Sequence, residues 1–257
     1  MVSEIAQFDP ADENTVFILP LGATEQHGKH LPFETDSLIA QGICERLKEV
    51  AESSMDLHIL PVEPLGYSLE HMDYKGSKTL TYDEAVNRWI GIGRACFDAG
   101  GKRIILVNAH GGNSPIATIV AQELRVRHSM LAVATKWDRF IKGSGIVSPN
   151  EERFGIHGGD IETSVMLAMY PDKVDMTNAH DFPNLQEMLA LENKYLLAYG
   201  PHAFGWKAAD LNPLGVTGNA GQATAEKGEA LLKIAVESLH KLVKETHAFD
   251  LTLLKDA

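Results

Sequence analysis

The sequence predicts an α/β fold in which helices cover both faces of a mostly parallel sheet. Short apolar segments alternate along the chain with longer segments whose apolar residues recur at helical spacing. The apolar segments form short continuous runs, which is typical of parallel strands buried on both faces. This alternation of strands and helices favours one sheet between two helical layers.

Individual elements follow from local signals. Residues with the composition of buried strands lie at positions 15–21, 57–62, 103–107 and 130–135. Helical spacing and helix boundaries mark positions 36–52, 81–99, 114–128, 159–170, 185–197 and 223–247. Thr81 and Glu84 have the spacing of a capping box at the start of the second helix. Residues 199–221, with five glycines and two prolines, predict a long loop of the kind that is often functional.

Length and composition predict a single soluble domain over residues 1–257. Of the 257 residues, 44% are hydrophobic and 23% are charged, which is ordinary for a globular protein. The net charge of −12 argues against nucleic acid as a partner, because phosphate binding needs a basic face. Cys44 and Cys96 are too few for a disulfide framework and are expected to be buried thiols. No export signal or bilayer-spanning stretch is visible, so we expect a cytoplasmic protein without membrane association.

Four segments hold more potential ligands than core packing explains. Two of them, residues 22–36 and 108–113, follow predicted strands; a third, 157–162, opens a helix, and the fourth is the glycine-rich loop. Their candidate residues are Glu25, His27, His30, Asp36, His110, His157, Asp160, Glu162, His202 and Trp206. The carboxyl ends of parallel strands meet at one edge of a sheet, so we expect the first two segments to converge there.

The donor groups of these two segments predict a metal site. Imidazole and carboxylate groups without a thiolate suit Zn²⁺, Mn²⁺ or a pair of such ions. Gly28, Gly111 and Gly112 are expected to let the backbone approach an ion or a substrate closely. The residues expected to converge are Glu25, His27, Asp36 and His110.

Each candidate also has an ordinary structural interpretation, and only the combination indicates a site. Asp160 lies in the first turn of a helix, where the macrodipole alone favours an acidic residue. Glu162 shares that interpretation but is an equally good candidate ligand. Residues 22–29 look like a phosphate-binding loop, but five residues rather than four separate the glycines, and His30 stands where Ser or Thr would bind Mg²⁺. We therefore reject phosphate binding there.

Three motifs, in this order and at these separations, resemble the creatininase (creatinine amidohydrolase) family. They are LPLGATEQHGKHLPFETD, VNAHGGN and HGGDIETSVMLAMYP, and the resemblance extends to LGVTGNAGQATAEKG before the last helix. The resemblance implies a three-layer α/β/α fold and a homo-oligomer, often a hexamer. It also implies a site for two divalent ions, Zn²⁺ and Mn²⁺ or a related ion such as Fe²⁺.

The resemblance also implies roles for individual residues. Asp36 would bridge the two ions, and His157 matches the catalytic histidine of the family. The metal ligands that it implies are Glu25, His27, Asp36, His110 and Glu162. His202 and Trp206 are given no catalytic role; we expect Trp206 to anchor its loop to the core, and closure of both side chains over the substrate is the alternative.

The second motif departs from creatininase itself. That enzyme has a metal-binding glutamate two positions after the motif histidine, where this chain has Gly112. The ion held by His27 is therefore expected to use Glu162 instead. Gly111 likewise replaces an aromatic residue, which puts creatinine in doubt as the substrate.

The function predicted is metal-dependent hydrolysis of a non-peptide C–N bond in a cyclic amide or formamide. Two ions lower the pKa of a bridging water, and the resulting hydroxide attacks the amide carbon. His157 then protonates the departing nitrogen, because an imidazole titrates near neutral pH. His30 is expected to orient a ligand from outside the metal site.

Other substrates and one other class of protein stay open. Members of the family hydrolyse creatinine, deformylate a pyrimidine intermediate of flavin-type cofactor synthesis, or trim a peptide during mycofactocin maturation. A non-catalytic metal- or nucleotide-binding module is the alternative from another class. Structural metal sites are usually closed by four protein ligands, whereas this set leaves room for water, which favours the enzyme. The expected partners are a small-molecule amide substrate and further copies of the chain.

Overall fold

The fold is organised around a sheet of four parallel strands. The computed structural model describes residues 13–51 and 55–255. The strands are β1 (Val16–Leu21), β2 (Leu57–Ile59), β3 (Arg103–Asn108) and β4 (Leu131–Lys136). Their order across the sheet is β2-β1-β3-β4, and the register pairs Val16 with both Leu57 and Arg103. Because all four strands run in the same direction, their carboxyl ends lie at one edge.

Helices connect the strands and fill the second half of the chain. They are α1 (Thr35–Val50), α2 (Tyr82–Asp98), α3 (Asn113–His128), α4 (Pro149–Phe154), α5 (Asp160–Met169), α6 (Leu185–Glu192), α7 (Ala208–Leu211) and α8 (Ala225–Ala248). A small antiparallel sheet joins β5 (Asp181–Phe182) to β6 (Gly218–Asn219). The predicted capping box of Thr81 and Glu84 starts α2. None of the helices in the described ranges is long and apolar enough to cross a bilayer.

Two apolar cores lie on opposite faces of the sheet, because successive side chains of a strand point to opposite sides. On one face, Val16 and Ile18 pack with α1, α5 and α8. On the other face, Phe17 and Leu19 pack with α2 and α3. Every residue of β1 and β3 is buried. The predicted three-layer α/β/α architecture is therefore confirmed.

The two cysteines occupy these cores as free thiols. Cys44 lies in α1 and Cys96 in α2, and both are buried, as the sequence predicts. Burial raises the pKa of each thiol to about 12. Both thiols therefore stay protonated near neutral pH and act as small apolar side chains.

Two predicted elements are shorter in the structure. β2 ends at Ile59 rather than at residue 62, although the N–H groups of Leu60 and Glu63 still donate to the β1 carbonyls of Ile18 and Pro20. α6 ends at Glu192 rather than at residue 197. The next residue, Asn193, has an extended backbone, and its N–H caps the helix by donating to the carbonyl of Leu189. Residues 199–221 form a loop that also contains the short elements α7 and β6.

Gly22 carries the chain from β1 into the loop at the carboxyl edge. A Cβ at this position would lie 2.4 Å from Oγ and 2.5 Å from Cα of Ser37 in α1. The Gly22 N–H donates to the Glu63 carbonyl, and its own carbonyl accepts from Nδ2 of Asn113. Glycine is needed here because the loop passes directly against the backbone of α1.

Replacing Gly22 by Ala is expected to lower the free energy of unfolding by about 1–3 kcal/mol, the usual effect of overpacking. The matched control is Gly91→Ala in α2, where a Cβ would meet nothing within 4 Å. That change should raise the free energy of unfolding by about 0.5–1 kcal/mol, because alanine is the better helix former. Chemical denaturation of both variants gives the comparison. Equal effects on the two variants would contradict the packing assigned to Gly22.

Candidate metal centre

The predicted ligands converge at the carboxyl edge of the sheet. Glu25 and His27 lie in the loop after β1, Asp36 in the first turn of α1, and His110 in the loop after β3. Glu162 reaches the same place from the first turn of α5. Glu25 and His27 are fully buried, and Asp36 and His110 are nearly so. Residues far apart in the sequence therefore form one cluster.

Asp36 lies between the two histidines of the cluster. Its Oδ1 is 3.4 Å from Nε2 of His27, and its Oδ2 is 3.5 Å from Nδ1 of His110. Nδ1 of His110 is also 3.0 Å from Oε1 of Glu25. Nε2 of His27 is 3.8 Å from Oε2 of Glu162. One carboxylate thus turns an oxygen towards each of two donor groups, which is the arrangement that a bridging ligand needs.

Several donor atoms of the cluster are buried without a hydrogen bond. Within the described part of the chain, neither oxygen of Glu25 has a hydrogen-bond partner, and the same holds for Oδ2 of Asp36 and Nε2 of His27. Buried polar atoms are normally hydrogen-bonded, and exceptions require an explanation. Three sets of donor atoms lie within 4.8 Å of one another, in Glu25–His27–Asp36, His27–His157–Glu162 and Glu25–His71–His157. These residues fit divalent metal ions.

Backbone carbonyls orient three of the histidine rings. His27 bonds to the carbonyl of Glu25, His110 to that of Tyr67 and His157 to that of Gln26, at 3.0, 2.8 and 2.7 Å. A carbonyl oxygen only accepts, so the ring nitrogen that contacts it carries the proton. The other nitrogen of each neutral ring then has a free lone pair. This is the usual way in which proteins orient metal-binding histidines.

The charges of the cluster shift its pKa values strongly. Burial opposes charge on His27, but the carboxylates of Asp36, Glu162 and Glu25 together outweigh it and raise the His27 pKa to about 9. Burial likewise opposes charge on His110, yet Glu25 and its neighbours raise the His110 pKa to about 10. Burial raises the pKa of Glu162 to about 7. In the absence of a cation, these groups therefore hold protons that a metal ion would displace.

The pKa values of His157 and His71 shift in the opposite direction, below the ordinary value of a histidine. Burial, reinforced by the imidazole of His27, holds the pKa of His157 well below its ordinary value. Burial and the neighbouring histidines also lower the pKa of His71. Both rings are therefore neutral at neutral pH.

The loop after β2 brings three residues to the centre that the sequence patterns do not predict. His71 places Nε2 3.5 Å from Oε1 of Glu25. Glu70 and Ser68 lie beside His110, at 3.6 and 3.3 Å from its Nε2. The one sequence signal for these residues is their position after a predicted strand, because the loop after β2 leaves the same edge of the sheet as the loops after β1 and β3.

His30 supports the centre indirectly. It is buried, and its Nε2 bonds to the carbonyl of Gly158 at 2.8 Å. Gly158 lies between His157 and Glu162, and its N–H donates to Oε2 of Glu162 at 2.7 Å. His30 therefore contacts the backbone that carries these residues and not a ligand side chain.

The remaining candidates lie outside the cluster. Asp160 forms an ion pair with Lys227 at 2.6 Å, and this pair links α5 to α8. Asp160 also accepts a hydrogen bond from the hydroxyl of Ser164. His202 is exposed and Trp206 is partly buried, and neither belongs to the donor sets. The glycine-rich loop supports the centre through its backbone, where the N–H of Thr217 donates to the carbonyl of His157 at 2.8 Å.

The three glycines of the site differ in their roles. Gly28 has a φ of +75°, which favours glycine. A Cβ on Gly112 would lie 2.3 Å from the carbonyl oxygen of Tyr67 and 2.6 Å from Nε2 of His110. A Cβ on Gly111 would meet nothing within 4 Å. Gly112 is therefore required for close packing, and Gly111 leaves open space next to His110.

A cavity of about 440 Å³ adjoins the cluster, and Glu162 is among its lining residues. Its walls include the apolar side chains of Trp137 and Leu231 and the ion pair of Lys136 with Asp138. Ligand pockets are commonly of this size and combine apolar walls with a few polar groups. A small molecule therefore has room beside Glu162.

An α/β/α fold with this donor cluster at the carboxyl edge of its sheet has the features of a metal-dependent hydrolase. Comparison with known families also identifies a hydrolase. The profile of the Creatininase family, described as creatinine amidohydrolase, matches residues 2–243. The chain therefore belongs to the creatininase family, a family of amidohydrolases.

Individual relatives cover almost the whole chain. It is 27% identical to the creatinine amidohydrolase of Pseudomonas putida over 90% of this chain and 89% of that protein. It is 28% identical to the mycofactocin precursor peptide peptidase of Mycolicibacterium smegmatis over 88% and 83%. Solved creatininase structures include a manganese form (TM-score 0.74) and a zinc–zinc form of a variant (TM-score 0.73). Each is 25% identical, covering 96% of this chain and 95% of that one.

Metal binding is expected to release protons and to strengthen as the pH rises. With pKa values of about 9 for His27 and about 10 for His110, both rings are protonated at pH 7 and must lose a proton to ligate. The affinity for Mn²⁺ should therefore rise from about pH 6 to about pH 8. Calorimetric titration in buffers of different ionisation enthalpy counts the protons released. Binding without proton release would contradict the protonation states assigned here.

Proposed function

We propose that this protein is a metal-dependent amidohydrolase that cleaves a non-peptide C–N bond, in a cyclic amide or a formamide, with two divalent ions. The observation that carries the proposal is Glu25. Its carboxylate is fully buried, has no hydrogen-bond partner among the described residues, and is surrounded by imidazole nitrogens. A divalent cation suits such an arrangement, because a buried carboxylate needs strong compensation and His110 is the ring that otherwise supplies it, when protonated.

The donor geometry supports two ion positions. Glu25 and His110 would hold one ion and His27 and Glu162 the other, with Asp36 between them. Gly112 has no side chain to contribute, and the close packing around it leaves no room for one. This supports Glu162 as the carboxylate that completes the site beside His27. Zinc and manganese suit this mixture of nitrogen and oxygen donors.

When bound, two such ions acidify a water molecule and polarise the substrate carbonyl. His157 is placed to move the proton. Its Nε2 is held by the carbonyl of Gln26, and its Nδ1, 3.6 Å from Oε1 of Glu25, has a free lone pair. Nδ1 accepts the proton of the attacking water as the new C–O bond forms. It then donates this proton to the departing nitrogen as the C–N bond breaks.

The substrate class is proposed from the space around the centre, at Gly111 and in the cavity beside Glu162. Creatinine is disfavoured because Gly111 leaves the region beside His110 open. The adjoining cavity of about 440 Å³ accommodates a molecule larger than creatinine. A formamide on a larger ring fits these features. Trimming of a peptide is the second candidate, because the relative from Mycolicibacterium smegmatis is a peptidase.

A non-catalytic metal-binding module is the competing interpretation. Each proposed ion position has three protein ligands, with Asp36 counted at both, rather than the four of a typical structural site. A set of three leaves a coordination position for water or substrate. This supports an enzyme over a module.

Purified protein is expected to bind two divalent ions per chain and to hydrolyse at least one compound from a panel of creatinine, a formylaminopyrimidine and short peptides. Removal of the ions with a chelator should abolish hydrolysis, and Zn²⁺ or Mn²⁺ should restore it. Elemental analysis and product assays measure both properties. One inert ion per chain with no hydrolysis of the panel would favour the module.

Replacing His157 by Ala is expected to lower kcat by at least about 100-fold with both ions retained, because the proton carrier is lost. His202→Ala is the control, since His202 is exposed and outside the donor sets. Elemental analysis accompanies the kinetics of each variant. Loss of an ion from the His157 variant would instead make this residue a ligand.

A further inference from the structure

Four histidines surround the buried carboxylate of the centre, and one of them differs from the rest. His27, His110 and His157 each donate one ring N–H to a backbone carbonyl. Their second nitrogen is therefore free to bind a cation or a proton. The fourth histidine is His71. Within the described residues, its ring makes no hydrogen bond to a backbone carbonyl. Its ring instead contacts the side chain of Gln26.

The orientation of the Gln26 amide is determined by two backbone groups. Oε1 accepts from the N–H of Gly28 at 2.9 Å, and Nε2 donates to the carbonyl of Gly215 at 2.6 Å. Exchanging the oxygen and the nitrogen would place two donors together at Gly28 and two acceptors together at Gly215. The nitrogen of this amide therefore faces His71.

This orientation determines the tautomer of His71. Nε2 of Gln26 lies 3.2 Å from Nδ1 of His71 and has its second proton available. Nδ1 of His71 accepts that proton, so the neutral ring carries its own proton on Nε2. That atom lies 3.5 Å from Oε1 of Glu25. His71 is thus the histidine of the four whose neutral ring turns an N–H, and not a lone pair, towards the carboxylate.

Gln26 determines which ring nitrogen carries the proton in both His157 and His71, with opposite results. Its carbonyl accepts from Nε2 of His157, which leaves Nδ1 of that ring unprotonated. Its side-chain amide donates to Nδ1 of His71, which keeps Nε2 of that ring protonated. The backbone N–H of Gln26 is itself held by Oγ of Ser77 at 3.0 Å. One residue therefore places a proton acceptor and a proton donor beside Oε1 of Glu25, on two rings whose centroids are 4.3 Å apart.

We propose that His71 is a positioning residue and not a metal ligand: Gln26 holds its tautomer so that the Nε2–H orients the carboxylate of Glu25 for the cation. The inference rests on the proposed function, since Glu25 needs to be oriented only if it binds an ion. Proximity alone would make His71 a ligand, because this residue belongs to one of the three donor sets and its Nε2 is 3.5 Å from Oε1 of Glu25. The contact with Gln26 removes the lone pair that ligation requires.

Nitrogen-15 NMR of histidine-labelled protein tests the tautomer directly, with and without zinc. His71 is expected to show a protonated Nε2 and an unprotonated Nδ1 in both states. Nε2 of His27 and Nδ1 of His110 should lose their protons and move to the metal-bound range on addition of zinc, because they become ligands. A zinc-induced shift of His71 Nε2 to the metal-bound range would overturn the inference and leave the proposed function standing. A protein that binds no zinc would overturn the proposed function and this inference together.

Zinc titration of matched variants provides the second readout. His71→Gln keeps an N–H near the position of Nε2, and its zinc affinity should stay within about threefold of the parent. His71→Asn is too short to reach Glu25 and should weaken binding by about 10-fold, as is typical for a residue that orients a ligand. His110→Gln is the control for a true ligand and should weaken binding by more than about 100-fold. Equal losses for His71→Gln and His110→Gln would contradict the positioning role.

Discussion

A fully buried carboxylate, that of Glu25, is the constraint on which the whole site depends. Glu25 is fully buried, and neither of its oxygens is hydrogen-bonded within the described residues. Burying such a charge without compensation is strongly unfavourable. The imidazole of His110 at 3.0 Å compensates it when protonated, and a divalent cation does so more strongly. The surrounding structure keeps this carboxylate in place in a position that favours a cation.

The sheet supplies the rigidity that this position requires. β1 and β3 are buried along their whole length and lie side by side, so the loops that follow them start from neighbouring points. Asn113 joins these two loops, because its Nδ2 donates both to the carbonyl of Gly22 and to Oδ1 of Asn108. The ligands of both loops are therefore held relative to each other by the core and by direct hydrogen bonds, as precise metal sites require.

Hydrogen bonds from the rings to the backbone then decide what each histidine can do. A carbonyl beside one nitrogen leaves the other free, and this makes His27 and His110 suitable ligands and His157 a suitable proton carrier. At His71 the amide nitrogen of Gln26 donates to Nδ1, so the neutral ring carries its proton on Nε2, which faces Glu25. Four side chains of one type thus acquire different chemical roles within one cluster. The open space at Gly111 lies next to this cluster and bears on the size of the substrate.

The sequence alone determined the layers, most elements and the main ligand candidates. Strand composition, helical spacing and the capping box at Thr81 depend on residues close in the chain, and Glu25 and His110 stand out because each follows a predicted strand. Only the tertiary structure decided that His71 joins the cluster and that His30 contacts the Gly158 backbone. Those outcomes depend on which loops meet and how each ring is turned. No periodicity in the sequence encodes such contacts, because they join residues of separate loops.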